Sequence, residues 1–238
     1  MTGVKDINAS FGHNTYWGNV RLETGYASTR LGRRSYLHGS IRFAKIDQLE
    51  FRTAPTAQPT TFFDAHDVSF KSGIAWDLTD RITAGVAAGW FIEKIEAWRG
   101  SAFNVDLGAQ MQATPQLRLG ASATNLGGDL NLTVTGRTGA RPISLPTTYR
   151  AGAAYQYDRY LGAVDLVVLD DELHVQVGAE AKLHDVITVR AGYMSNYDTR
   201  NVTAGLSLRH RNLTIDYAVV PFTDNLGTAH MFNFTFEL

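Results

Sequence analysis

The stretch that decides the fold is GTAHMFNFTFEL, residues 227–238. Its even positions carry Thr228, His230, Phe232, Phe234, Phe236 and Leu238, and its odd positions carry mostly small or polar residues. Alternation with a period of two indicates a β-strand with one aromatic face and one polar face. The pattern predicts a strand that runs to Leu238, with Phe232, Phe234, Phe236 and Leu238 on its apolar face.

The rest of the chain repeats this alternation in about fourteen segments, with clear examples beginning at Phe103, Leu117 and Leu173. Runs of about ten residues suit a tilted crossing of a bilayer better than an ordinary soluble strand. Tight turns alternate with longer links, the longest at about 52–67 and 126–147, and another predicted link covers 94–101. The sequence therefore predicts one all-β domain, 1–238, folded as an antiparallel up-and-down transmembrane β-barrel of about 14 strands.

Length and composition limit the classes of protein. The chain has 238 residues, a net charge of −1 and no cysteine, which excludes disulfides and thiolate sites and gives no electrostatic footprint for nucleic acid. It has no apolar run long enough for a transmembrane helix, and its first residues lack a signal-peptide pattern. A soluble β-sandwich or lipocalin-like barrel is the alternative, but a closed soluble barrel buries its apolar face inward.

The polar parity of the strands predicts a charged lumen in which both signs are represented. The residues expected to face it are Arg21, Glu23, Lys71, Asp77, Asp106, Arg118, Arg150, Asp165, His174, Glu180, Lys182, Arg190, Arg209 and Asp216. Two interpretations remain open: a solvated, selective pathway, or a network of ion pairs that fills a narrow lumen. A tunnel for fatty acids needs an apolar lining, and the inward parity offers little beyond Phe91 and Met194.

Two long links carry apolar residues that are costly to expose. These are Phe62 and Phe63 in the first and Leu130, Leu132, Ile143 and Leu145 in the second. Such residues either fold over the barrel mouth as a cap or meet a protein partner. No nucleophile elbow, phosphate loop or metal-type histidine spacing occurs. We therefore expect no enzymatic activity, no cofactor and no metal.

Several short stretches, taken in order, resemble the PorV/PorQ-type outer-membrane proteins, relatives of the FadL fatty-acid transporter barrels. They are FNVDL from Phe103, LRLGASATNLG from Leu117, LPT from Leu145 leading into YRAG from Tyr149, VGAE from Val177, VRAGY from Val189, IDYA from Ile215 and LGTAH from Leu226. The resemblance spans about residues 10–238. It implies a 14-stranded barrel of FadL type in the outer membrane of a Gram-negative bacterium.

The resemblance also implies a function. A PorV-like protein is a non-enzymatic accessory subunit that binds partners in a cell-envelope complex for protein secretion or surface attachment. A FadL-like protein is a passive transporter of hydrophobic small molecules, and a structural barrel without cargo is a third hypothesis. Expected partners are membrane lipid, other envelope proteins and, through the C-terminal strand, the barrel-assembly machinery. An even strand number places both termini on the periplasmic side. The Asn-Pro-Ala motif of the family's N-terminal hatch is absent from this sequence, which leaves two expectations: the segment that carries the hatch is missing here, or this member has no hatch.

Overall fold

The computed structural model describes residues 7–134, 137–138 and 142–238 and shows a closed, 14-stranded antiparallel barrel. The barrel strands are β1 (Ile7–Thr15), β2 (Val20–Arg30), β3 (Ser35–Phe51), β4 (Thr61–Asp77), β5 (Ile82–Ile95), β6 (Trp98–Gln112), β7 (Leu117–Leu126), β12 (Thr148–Tyr157), β13 (Tyr160–Leu169), β14 (Glu172–His184), β15 (Ile187–Met194), β16 (Val202–His210), β17 (Leu213–Pro221) and β18 (Thr228–Glu237). The predicted fold class and strand number are confirmed.

Four two-residue strands occupy the link between β7 and β12. They are β8 (Asp129–Leu130), β9 (Thr133–Val134), β10 (Arg137–Thr138) and β11 (Ile143–Ser144). The pair β8–β11 forms a separate small sheet, and β9 joins the loop end of β6. A single turn of 3-10 helix, Trp17–Asn19, links β1 to β2. Within the described residues, no helix is long and apolar enough to span a membrane.

The first and last strands close the barrel. Phe234 lies opposite Phe11, and Phe236 lies opposite Ala9. The backbone groups of Ile7 and Leu238 exchange two hydrogen bonds, of 3.1 and 2.8 Å. The Phe232 ring packs at 4.9 Å from the ring of Tyr217 on β17. The aromatic alternation therefore supplies an outer face that continues across the closing seam.

The register assigns every strand residue to one face, because residues directly opposite each other in a ladder point to the same side. One parity holds the buried residues, among them Ala102, Asn104 and Val167, at 3, 1 and 2 % exposed. The other holds most of the exposed large apolar residues, such as Phe70 and Trp90. The first parity is therefore the lumen face and the second is the outer face.

The wall of the barrel is not equally tall all round. Strands β3 and β4 have 17 residues each, whereas β15 has 8 and β16 and β17 have 9. At about 3.3 Å per residue, the tall strands are about 56 Å long and the shortest about 26 Å. All of the turns at the end that holds the chain termini are short, so the extra length stands at the opposite end, called the loop end here.

This extra height corrects two predicted loops. The link between β3 and β4 covers only 52–60, not 52–67, and the link between β5 and β6 is the two-residue turn 96–97, not 94–101. Charged residues such as Lys94 and Arg99 interrupt the apolar alternation, but their backbone stays in the ladder. Alternation marks where a strand is apolar on one side, and it does not mark where the hydrogen-bonded strand ends.

Candidate functional site

The register places twelve of the fourteen residues expected in the lumen on the lumen face. These are Lys71, Asp77, Asp106, Arg118, Arg150, Asp165, His174, Glu180, Lys182, Arg190, Arg209 and Asp216. Each comes from a strand on which small or polar residues alternate with apolar ones, so that the polar parity turns inward.

Arg21 and Glu23 are the two exceptions, because both lie on the outer face. Glu23 lies opposite His13 and Phe43, whereas Leu22 shares the lumen parity. The prediction for β2 was wrong because it assumed that the apolar parity of every strand faces outward. The Glu23 carboxylate instead bonds the His13 ring at 2.7 Å, and Arg21 bonds Asp47.

Most inward charges form ion pairs, either between adjacent strands or across one intervening strand. The N···O distances are 2.7 Å for Lys71–Asp106, 3.6 Å for Arg150–Asp165, 2.7 Å for Arg190–Glu180, 3.0 Å for Arg190–Asp216 and 2.6 Å for Arg209–Glu237. The Tyr36 and Thr83 hydroxyls donate to Asp77 at 3.0 and 2.6 Å. Because the pairs run along the wall, they compensate charge without crossing the lumen.

Two inward lysines, Lys71 and Lys182, are tied to a strand end and to a turn. The Lys71 ammonium also donates to the Asn125 side chain at 2.9 Å, and the Asn125 backbone N–H donates to Asp106 at 2.8 Å. Asn125 has a φ of 59° and sits where the β6–β7 register shifts. In the turn after β14, the hydrogen bond from Lys182 lowers the pKa of the Asp185 carboxyl below its usual value.

His174 is held in a stack that covers the inner wall at the loop end. The His174 ring lies nearly parallel to the Tyr197 ring, with centroids 4.1 Å apart. The Arg200 guanidinium lies over the Tyr197 ring, 4.6 Å from its centroid. Gln176 donates to the Tyr197 hydroxyl at 2.9 Å. His174 is 4 % exposed, so the link 195–201 folds inward against β14 and narrows the lumen there.

At the loop end, lumen-facing positions on seven strands are apolar. We call these residues the apolar collar: Val20, Leu22, Ile46, Phe91, Ile95, Val167, Leu169, Met194, Val220 and Met231. Asp67 and Glu93, which face each other on β4 and β5, interrupt it. Most of the collar lies on the loop side of the ion pairs, but Arg150 is directly opposite Val167 and Arg42 is level with Phe91. The lumen therefore changes from mostly apolar to mostly charged along its length.

The sequence interpretation identified only two collar members, Phe91 and Met194. The signal that it missed is a short apolar run on both parities, such as Val167-Val168-Leu169 or Val219-Val220, at the loop end of a strand. Such a run indicates burial on both faces and not on one.

The link between β7 and β12 folds into the mouth. Leu130 is 1 % exposed, and its Cδ1 lies 2.9 Å from the position that a Cβ on Gly100 would occupy. Gly100 is on the lumen face of β6, so Leu130 packs against the inner wall. Leu132 and Leu145 are half-buried, and Ile143 is 48 % exposed. We call β8 and β11 the cap.

Phe62 and Phe63 do not lie in a loop, because both belong to β4. Phe62 is on the outer face and 57 % exposed, whereas Phe63 pairs with Leu49 on the lumen face and is half-buried. A β-bulge between Ile46 and Leu49 adjusts the register just below them. The two phenylalanines therefore have different environments and cannot form one apolar patch.

The lumen keeps open space between the ion pairs. One cavity of 400 Å³ lies along β13–β17, beside Gln176, Arg190 and Asp216. A second, of 280 Å³, lies along β4–β7, beside His38, Asp106 and Gln110. Among the described residues, no group of three or more histidine and carboxylate side chains is placed to hold a metal ion. The ion pairs thus line the wall and leave room for water or a solute.

No protein-family model matches the chain, and the comparison with curated proteins found no match. Solved structures do match. The Ralstonia pickettii toluene transporter TbuX has a TM-score of 0.62 and 15 % identity, over 97 % of this chain and 88 % of that one. The CymD monoaromatic hydrocarbon channel has a TM-score of 0.69 and 12 % identity, over 100 % and 90 %.

A Pseudomonas aeruginosa FadL homologue is similar to the same extent, with a TM-score of 0.61 and 12 % identity over 97 % of this chain and 89 % of that one. The chain therefore has the fold of FadL-like barrels. At these identities the likeness is one of fold. The comparisons give no support to the finer resemblance to PorV/PorQ proteins.

Proposed function

We propose that this chain is a non-enzymatic outer-membrane channel of a Gram-negative bacterium through which small hydrophobic molecules pass passively, with both termini periplasmic. The observation that carries the proposal is the apolar collar. It offers a hydrophobic solute a first site at the loop end, whose favourable burial is about 25 cal/mol per Å² of apolar surface. The barrel folds named for toluene and monoaromatic hydrocarbons support the same substrate class.

The charged wall beyond the collar suits release more than retention. An apolar solute gains nothing from the ion pairs there, and these pairs already satisfy one another. The affinity for an apolar solute is therefore highest at the loop end and falls toward the other end, as a passive pathway requires. The order of apolar and charged zones also favours hydrophobic over charged solutes.

The test is uptake of a radiolabelled monoaromatic hydrocarbon by cells that carry the barrel in their outer membrane. Leu22→Lys places a charge in the collar and should lower uptake several-fold, whereas the apolar swap Leu22→Met should keep it. A sugar of similar size serves as the polar solute and should enter slowly through all three proteins. Equal hydrocarbon uptake by the two variants, or sugar entry as fast as hydrocarbon entry, would refute the proposal.

A partner-binding accessory role is the second candidate, and one observation favours it. Phe62 projects outward near the top of the tall wall, at 57 % exposed. An exposed aromatic is a typical anchor for a protein partner. If this role holds, Phe62→Ser should abolish co-purification of a stoichiometric envelope protein, and Ile143→Ser, an equally exposed apolar position on the cap, should not.

A further inference from the structure

The outer face carries a row of basic side chains at the loop end. Arg21, Lys45, His66, Lys94 and Arg99 occupy consecutive strands, β2 to β6, and each lies directly opposite the next. Neighbouring strands are about 4.8 Å apart, so the row extends around a large part of the tall wall. All five residues point away from the lumen.

The two halves of this row differ. Asp47 bonds Arg21 and lies 2.5 Å from the Lys45 ammonium, so an anion of the chain itself bridges the first two cations. His66, Lys94 and Arg99 have no ion-pair partner among the described residues. We call these three residues, two cations and one imidazole, the cationic triplet. Lys94 and Arg99 carry like charges directly opposite each other in the ladder, which is unfavourable, so the triplet is a place where an external anion is stabilising.

The triplet stands directly above apolar outer surface. On the same parity, Ile92 precedes Lys94 by two residues, and Trp90 and Phe103 form an aromatic pair with centroids 6.4 Å apart just below. Ile92, Trp90 and Phe103 are 38, 48 and 50 % exposed. An occupant must therefore be anionic at the triplet and apolar below it, which is the chemistry of a lipid with a phosphorylated headgroup.

Charge complementarity selects among such lipids. The His66 imidazole and the two cations Lys94 and Arg99, on neighbouring strands, form a row about 10 Å long, and one phosphodiester reaches only part of it. A headgroup with two phosphate monoesters supplies anionic oxygens along the whole row, as Asp47 does for Arg21 and Lys45. We propose that the cationic triplet binds the phosphates of the bisphosphorylated lipid A moiety of lipopolysaccharide, with the acyl chains against Trp90 and Phe103. The inference depends on the outer-membrane location proposed above and not on transport.

The test is native mass spectrometry of the detergent-solubilised full chain with bisphosphoryl lipid A, monophosphoryl lipid A, phosphatidylglycerol and phosphatidylcholine. The double variant Lys94→Gln/Arg99→Gln should lose about twenty-five-fold in lipid A affinity, since each basic residue near an anionic surface contributes about a factor of five. Arg33→Gln/Arg34→Gln removes the same charge from an exposed turn at the opposite end and should bind as the unaltered protein does. Heat-modifiable migration on gels confirms that each variant is folded.

Preference for bisphosphoryl over monophosphoryl lipid A, lost only in the triplet variant, supports the inference. Binding of phosphatidylglycerol or phosphatidylcholine as tight as that of lipid A would overturn it, as would unchanged affinity in a folded triplet variant. Hydrocarbon uptake is measured separately on the same variants. A failure of lipid binding with normal uptake would refute this inference and leave the proposed channel function in place.

Discussion

Shortening Leu130 to alanine should release the cap from the inner wall. Leu130 is 1 % exposed and packs on Gly100 of β6. Replacing a buried leucine by alanine costs about 3 kcal/mol. Among the described residues, β8 and β11 are joined by one two-residue ladder, Leu130 with Ile143 and Asp129 with Ser144, and by a 2.8 Å hydrogen bond from the Ser144 hydroxyl to Asp129. The loss therefore acts on the cap locally, not on the whole barrel.

Hydrogen exchange measures this local opening. Since 1.36 kcal/mol corresponds to a factor of ten, the amides of 129–134 should exchange roughly a hundredfold faster in Leu130→Ala, where exchange reports the opening equilibrium. Amides of the barrel strands should keep their rates. Ile143→Ala is the matched control, because the same kind of truncation at a 48 % exposed side chain removes little buried surface. Equal exchange in the two variants would show that Leu130 does not anchor the cap.

Three further changes test the register, the cap and the lumen. The chain has no cysteine, so spin labels on Leu22→Cys and Ala27→Cys report single sites. The label at position 22 should be more accessible to a polar nickel chelate and the label at position 27 to oxygen. The opposite result would show that position 27, not position 22, faces the lumen. Gly128→Ala should loosen the cap in the same exchange experiment, because Gly128 has a φ of 73° and an added Cβ would overlap the Phe103 carbonyl oxygen; unchanged exchange contradicts that. Lys71→Met should destabilise the barrel by about 1–3 kcal/mol in urea unfolding, because the Asp106 carboxylate loses its cation. Adding Asp106→Asn should recover part of this loss. A purely steric effect of the methionine would not allow that recovery.

The strand number and the closing strand could be predicted because they follow from short-range chemistry. Phe232, Phe234 and Phe236 repeat at every second position, and a period of two has one physical meaning in a strand. Hairpin turns are similarly local: Asp170 and Asp171 both have positive φ, as the two-residue turns that suit twisted strands require. Such features need no knowledge of the rest of the fold.

The collar and the faces of β2 could not be predicted in the same way. Val20 and Leu22 look like a membrane-facing parity, and only the pairing of Val20 with Ile46 and of Leu22 with Ala44 turns them inward. The inside of a barrel is defined by closure, which is a property of all the strands together. Where the lumen is itself apolar, hydrophobicity no longer distinguishes inside from outside.

Because the strands differ in length, the opening at the loop end is tilted toward the side with the shortest strands. The tall side, β3 to β6, is about 30 Å longer at its extreme than β15 and carries both the cap contact at Gly100 and four of the five residues of the basic row. The low side, β15 to β17, brings Met194 and Val220 close to the rim. The rim at the loop end is therefore slanted, high over β3 and β4 and low over β15. On the low side the collar residue Met194 therefore lies at the rim, whereas β3 and β4 continue beyond Ile46 on the tall side.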